Sequence, residues 1–193
     1  MIAVVDTGGA NLASVINALA RLGASAEVTA DPARVRAAER VILPGVGAAP
    51  EAAARLAGGL GEAVRGLSVP VLGICLGMQL FFEESEEGPA RGLGLLPGAV
   101  RRMAPAGLTV PHMGWNAVAR KGGGALLDGL PDGTHFYFVH SYAAPMGPWV
   151  EAACDYGGPV PAVVRKNNFH GVQFHPERSG PAGAVVLKNF LAL

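Results

Sequence analysis

No apolar run in this 193-residue chain approaches the length of a membrane span. The opening Met1-Ile2-Ala3-Val4-Val5-Asp6 reads as a strand and not as a signal peptide. Charge is sparse, at 16% of residues, and the formal net charge is zero, so nothing electrostatic points to nucleic acid. The 50% hydrophobic content excludes a disordered chain. Cysteine occurs only as Cys75 and Cys154, which suits a cytoplasmic protein with one working and one core thiol better than a disulfide framework. There is no Walker-type loop, and Thr7-Gly8-Gly9-Ala10 lacks the full G-x-G-x-x-G dinucleotide spacing. Linkers, repeats and low-complexity tracts are missing, so a single domain over residues 1–193 is expected. Neither a cofactor nor a metal is expected.

What is present is an alternation of short apolar runs and helical patterns. Strands are predicted over 2–6, 25–30 and 40–43. Between them, Leu12, Val15, Ile16 and Leu19 form the apolar face of a helix closed by Gly23, and Asp31-Pro32 opens a second, with Asp as cap and Pro at its first position. A helical stretch from Pro50 to about Arg65 is interrupted by Gly58, Gly59 and Gly61. This alternation predicts an α/β fold, with a central, mostly parallel (mixed) sheet flanked by helices. Past Gly88 the pattern changes to short β-prone pieces, expected over 99–103, 134–142, 150–156, 160–165 and 169–174 and antiparallel or mixed in pairing. Asn167-Asn168 fits a hairpin turn. A last helix is predicted over 181–193, with Val185, Val186, Phe190 and Leu191 facing inward.

The chemistry concentrates at residues 68–87. Val69 to Ile74 has the composition of a strand buried on both faces, and the pattern from Leu76 into Glu83 and Glu84 suits a helix. Between them, Gly73-Ile74-Cys75-Leu76-Gly77 matches the G-x-[Ser/Cys]-x-G nucleophile elbow, where small residues let a strand turn sharply into a helix. A sulfur at a helix N-terminus meets unpaired N–H groups and the positive dipole end, which favour a thiolate. By itself the elbow is equally compatible with a Gly-rich turn around a buried thiol. The balance is tipped by Gln173-Phe174-His175-Pro176-Glu177. A thiolate attacking a carbonyl needs a base, and the base needs an orienting acid. His175 and Glu177 stand two apart just past an apolar strand, with Pro176 fixing the backbone between them.

Gly-Ile-Cys-Leu-Gly-Met-Gln together with Gln-Phe-His-Pro-Glu resembles the class I, triad-type glutamine amidotransferases, over essentially the whole chain. The resemblance implies their flavodoxin-like fold and hydrolysis of L-glutamine by Cys75, His175 and Glu177, with ammonia passed to a synthase. It also turns Pro44-Gly45-Val46-Gly47, otherwise a strand-ending turn, into an oxyanion loop in which Val46 and Gly47 act with the backbone of Leu76. Gln79 and Glu87 are implied to hold the amino-acid end of glutamine, aided by backbone groups of Ser141 and Tyr142. For Gln79 the geometry agrees, because i+4 on the elbow helix returns to the face of Cys75. For Glu87, a solvated acidic helix end shared with Glu83, Glu84 and Glu86 fits as well.

Within the family, Pro111-His112-Met113-Gly114-Trp115-Asn116 and Phe138-Val139-His140-Ser141-Tyr142 resemble the branch that works with the cyclase of imidazole glycerol phosphate synthase. The resemblance implies a heterodimer with a (β/α)₈-barrel cyclase. Trp115 would lie at the interface, as against an aromatic plugging a loop, and Asn11 and Arg178 would be further contacts. The CTP synthase branch shares the elbow, but its large synthetase domain has no room here. Two alternatives stay open at this level. One is a glutaminase subunit serving pyridoxal phosphate or anthranilate synthesis; the other is a non-enzymatic relative with a redox cysteine.

Overall fold

The computed structural model describes residues 1–8, 12–45, 47–88 and 90–193. Strands β1 (Ile2–Val5), β2 (Ala26–Thr29), β3 (Arg40–Leu43) and β4 (Val71–Ile74) alternate with helices α1 (Ala13–Arg21), α2 (Pro32–Arg36), α3 (Ala49–Leu56) and α4 (Gly59–Arg65). The one-turn helix α5 (Leu76–Gln79) follows β4, and then come β5 (Phe82–Ser85), β6 (Ala90–Arg91), β7 (Leu96–Arg102) and β8 (His112–Arg120). The chain closes with β9 (Thr134–His140), β10 (Tyr142–Ala143), β11 (Val150–Asp155), β12 (Pro159–Lys166), β13 (Phe169–Val172) and α6 (Gly180–Ala192).

Among the described residues, nine strands form one mixed sheet in the order β2-β1-β3-β4-β13-β12-β11-β8-β9. Pairing is parallel from β2 through β13 and antiparallel from β13 to β9. Strands β1 and β4 carry no polar residue and are buried at every position because both faces are covered. Val41 and Leu43 of β3 pack on one core with Val35, Leu60 and Val64, while Ile42 packs on the other with Leu19, Val186 and Phe190. Local signals act where expected. Asp31 caps α2 by accepting from the Ala33 N–H at 2.8 Å, and Gly23 ends α1 at φ 76°.

Four expectations are corrected. The helix after the elbow stops at Gln79, and Phe82–Ser85 is strand β5, which pairs in parallel with β7 in a second, four-stranded sheet, β10-β7-β5-β6. Phe82 is fully buried, and strand geometry lets it point into the core while Glu83, on the opposite face, stays exposed. Residues 112–120, not among the expected strands, form strand β8, which carries Trp115. The 134–142 strand divides at Ser141, with Tyr142 crossing to β7 in the small sheet. In α6 the buried set is Gly183, Val186, Leu187 and Phe190, so Leu187 takes the place given to Val185. Among the described residues, no helix is long and apolar enough to cross a membrane.

Candidate active site

At the C-terminal end of β4 the backbone turns through Cys75, which adopts φ 47° and ψ −106°. Positive φ is costly for a residue with a Cβ, and its persistence here marks a position held by its surroundings. The neighbouring glycines show what holds it. A Cβ on Gly73 would lie 2.7 Å from the Gly77 carbonyl, and one on Gly45 would lie 2.7 Å from the Cys75 Cβ. One on Gly77 would overlap the Leu43 carbonyl. The elbow is therefore wedged between β3 and its own helix, which lifts the sulfur out of the sheet. Because α5 has a single turn, its dipole contributes less than the sequence pattern suggests; the local N–H groups of residues 76 and 77 do more. Cys154, by contrast, sits in the core under burial that pushes its thiol up to about 12.

His175 lies three residues beyond β13, after a bend, and not on the strand end itself. It is clamped to β9: its N–H donates to the Tyr137 carbonyl at 2.9 Å, and Ser179 Oγ donates to the His175 carbonyl at 2.7 Å. The Tyr137 N–H in turn donates to Ser179 Oγ at 3.0 Å. The ring's Nδ1 meets Glu177 Oε1 at 2.7 Å, with the two side chains 7% and 4% exposed. That leaves Nε2 for Cys75. Burial alone would push His175 down, but hydrogen bonds to Cys75 and Glu177, with the charges of both, outweigh it and hold the imidazole up to about 10. Sulfur, imidazole and carboxylate thus form one interacting group.

In front of the sulfur opens a cleft of about 280 Å³. Gly47, Cys75, Leu76, Gln79, Glu87, Ser141 and Tyr142 all line it. Gln79 is nearly buried, and its Nε2 is committed twice, to the Tyr142 carbonyl at 2.9 Å and to Gln173 Oε1 at 3.1 Å. Its Oε1 is the group left for a ligand. Glu87 Oε2 accepts from the Ala49 N–H at 3.1 Å, which ties the acidic turn to α3 and separates Glu87 from its acidic neighbours. Asn11 and Val46 lie outside the described residues. Trp115 is 56% exposed on β8 and packs edge-on against Tyr137, over whose ring the Arg178 guanidinium sits at 5.2 Å.

The class I glutamine amidotransferase family model matches residues 3–193. This chain belongs to the class I glutamine amidotransferase family. The amidotransferase is 57% identical to the imidazole glycerol phosphate synthase subunit HisH of Xanthomonas euvesicatoria, an alignment covering 100% of this chain and 97% of that protein. It is 53% identical, with the same coverage, to the protein of that name from Xylella fastidiosa. Among solved structures, PurLQS from Thermotoga maritima superposes with a TM-score of 0.79 at 19% identity, covering 99% of this chain and 97% of that one. The glutaminase domain of CTPS from Trypanosoma brucei, solved with bound acivicin, gives 0.66 at 14% identity, covering 99% and 93%. These two likenesses are of fold.

The sequence reading missed several groups that the amidotransferase brings to the same place. Gln173, fully buried, donates from Nε2 to Cys75 Sγ at 3.4 Å, and the Val139 carbonyl lies 3.9 Å from that sulfur. Pro111 and His140 line the cleft. For Gln173 a signal existed: an amide side chain inside an otherwise apolar strand ending must find buried partners.

Proposed function

We propose that the chain, as a single amidotransferase domain over residues 1–193, is the glutaminase subunit of an imidazole glycerol phosphate synthase. It would hydrolyse L-glutamine and pass ammonia to a (β/α)₈-barrel cyclase in histidine biosynthesis. The observation that carries the chemistry is the Cys75-His175-Glu177 group, whose Cys75 lines the cleft; the full-length likeness to proteins named HisH supports the choice of synthase.

In this reading glutamine lies with its amino-acid end on Gln79, Glu87 and the backbone of Ser141 and Tyr142. Its side-chain amide then faces the sulfur. His175, its imidazole held up to about 10 by Cys75 and Glu177, already carries the proton that Cys75 gives up. The thiolate attacks the amide carbon. Negative charge on the former carbonyl oxygen is met by the N–H of Leu76, which as the first residue of a helix has no intrahelical acceptor, and from the side of Gly47. Each such donor is worth about 10²–10³ in turnover. Collapse breaks the C–N bond as His175 returns its proton to nitrogen, releasing ammonia and leaving a γ-glutamyl thioester on Cys75. Water, deprotonated by His175, then attacks the thioester, and glutamate leaves as the thiol is restored.

The docking surface is the outer face of β8 and β9. Met113 (62% exposed) and Trp115 (56%) stand there beside Tyr137 and Arg178, and exposed aromatic and Arg anchors are the side chains that carry interface energy. Location in the cytoplasm follows from the biosynthetic role. The decisive experiment replaces Cys75 with alanine. Glutamine-dependent synthesis with the cyclase is expected to vanish while added ammonium still supports it. Retained glutamine-dependent turnover would reject the assignment.

A further inference from the structure

A hydrogen-bonded chain of side chains runs from the far side of β8 to the sulfur. Asn116 Nδ2 donates to the Asp155 carbonyl at 2.9 Å and lies 3.3 Å from His112 Nε2. His112 Nδ1 is 3.0 Å from His140 Nε2, and His140 Nδ1 is 2.8 Å from the Tyr142 carbonyl. That carbonyl also accepts from Gln79, which donates to Gln173, which donates to Cys75 Sγ.

The two carbonyl ends fix every proton between them. A carbonyl oxygen only accepts, so Asn116 must present its NH₂ and His112 Nε2 must accept. His112 then carries its proton on Nδ1, His140 accepts it at Nε2, and His140 donates from Nδ1 to Tyr142. Either ring, if protonated, would set two donors against each other. Both rings are buried, and desolvation holds each down to about 4, in keeping with this neutral pair. His112 and His140 face each other in the β8–β9 register, and His112 is stacked between Phe138 and Tyr156 at 4.8 and 3.9 Å.

We propose that His112 is a positioning residue for glutamine. By fixing the tautomer of His140, it locks the Tyr142 carbonyl and, through it, the orientation of Gln79 whose Oε1 meets the substrate. This is the role Glu177 has for His175, played by a neutral ring on a neighbouring strand. Without the His112 donor, His140 can carry its proton on Nε2 instead. It then turns a lone pair toward Tyr142, and the carbonyl that anchors Gln79 keeps only Gln79 of its two donors. The inference rests on the glutaminase reading of the cleft. His112 itself does not line the cleft, but both its chain neighbour Pro111 and its partner His140 do, so the tautomer of His140 is the readout that tells a route through the ring from one through the backbone.

The test uses acivicin, a glutamine-shaped electrophile, on the full chain, separating its binding constant KI from the alkylation rate kinact. His112→Phe keeps the stacked ring and removes the donor. His112→Asn places an amide N–H where Nδ1 stood. His112→Phe is expected to raise KI about three- to tenfold, the loss of roughly one neutral hydrogen bond, and to change kinact less than that. His112→Asn should restore most of the affinity. Nitrogen NMR of the imidazoles should find His112 and His140 as neutral Nδ1–H tautomers in the parent, with the His140 signals altered in His112→Phe. Should His112→Phe fail to fold, Asn116→Ala with the same readouts takes its place. Parental KI in His112→Phe (or, in its place, Asn116→Ala), or an Nε2–H tautomer at His140 in the parent, would overturn the proposal. A parent chain that acivicin does not alkylate would instead sink the glutaminase reading, whatever the tautomers prove to be.

Discussion

Replacing Glu177 with glutamine removes one negative charge from the triad and almost nothing else. The two side chains are nearly isosteric, and the site is so closed that Glu177 is 4% exposed and its partner ring 7%. The bond at stake is the 2.7 Å contact from His175 Nδ1 to Glu177 Oε1. Hydrogen bonds to a charged group contribute about 1.5–3 kcal/mol, and each 1.36 kcal/mol is tenfold in rate, so kcat should fall about 10- to 150-fold. Glu177 lies behind the imidazole and is not among the residues lining the glutamine cleft, so KM should stay within about twofold. Glutamate release in the presence of the synthase partner measures both constants. A kcat within about threefold of the parent, or a change confined to KM, would refute the role given to this carboxylate.

The same pair makes stability depend on pH. His175 is held up to about 10 against an ordinary 6.5, by Cys75 first and Glu177 with it, so the stabilisation it draws from the two is complete below pH 6.5 and is lost as pH rises through about 10. The gap in urea midpoint between the parent and Glu177→Gln should therefore narrow across that window; a gap that widens with pH would be the wrong sign. Gly77→Ala drives a Cβ into the Leu43 carbonyl and should prevent folding or lower the urea midpoint severely, whereas Gly107→Ala, with open space but φ 75°, should cost only about 1 kcal/mol. Trp115→Ala should weaken binding of the proposed cyclase partner by about 2 kcal/mol or more, read by calorimetry, and leave thermal stability unchanged because the ring is more than half exposed.

The convergence of Cys75, His175 and Glu177 was legible because these residues announce themselves locally: an elbow needs its glycines next to Cys75, and His175 and Glu177 stand in one short motif. Gln79 was legible too, since helical geometry returns i+4 to the same face. Strand β8 was not. Along it the apolar residues Met113 and Trp115 point outward, while His112 and Asn116 point in, so the usual rule of apolar-in and polar-out is inverted. Strand β5 was hidden because Leu80, Phe81 and Phe82 continue the helical spacing of α5, and only the parallel partner β7, reached later in the chain, decides against helix. The proton order through His112 and His140 depends on cross-strand register, and spacing in the sequence carries no information about that.

Mass spectrometry of the chain after exposure to acivicin addresses the central claim most directly. The account predicts a single adduct on Cys75, with Cys154 unmodified and glutamine slowing the reaction. It also predicts loss of labelling in His175→Ala. Labelling that falls on Cys154, or that proceeds at Cys75 with no protection by glutamine and no dependence on His175, would contradict it.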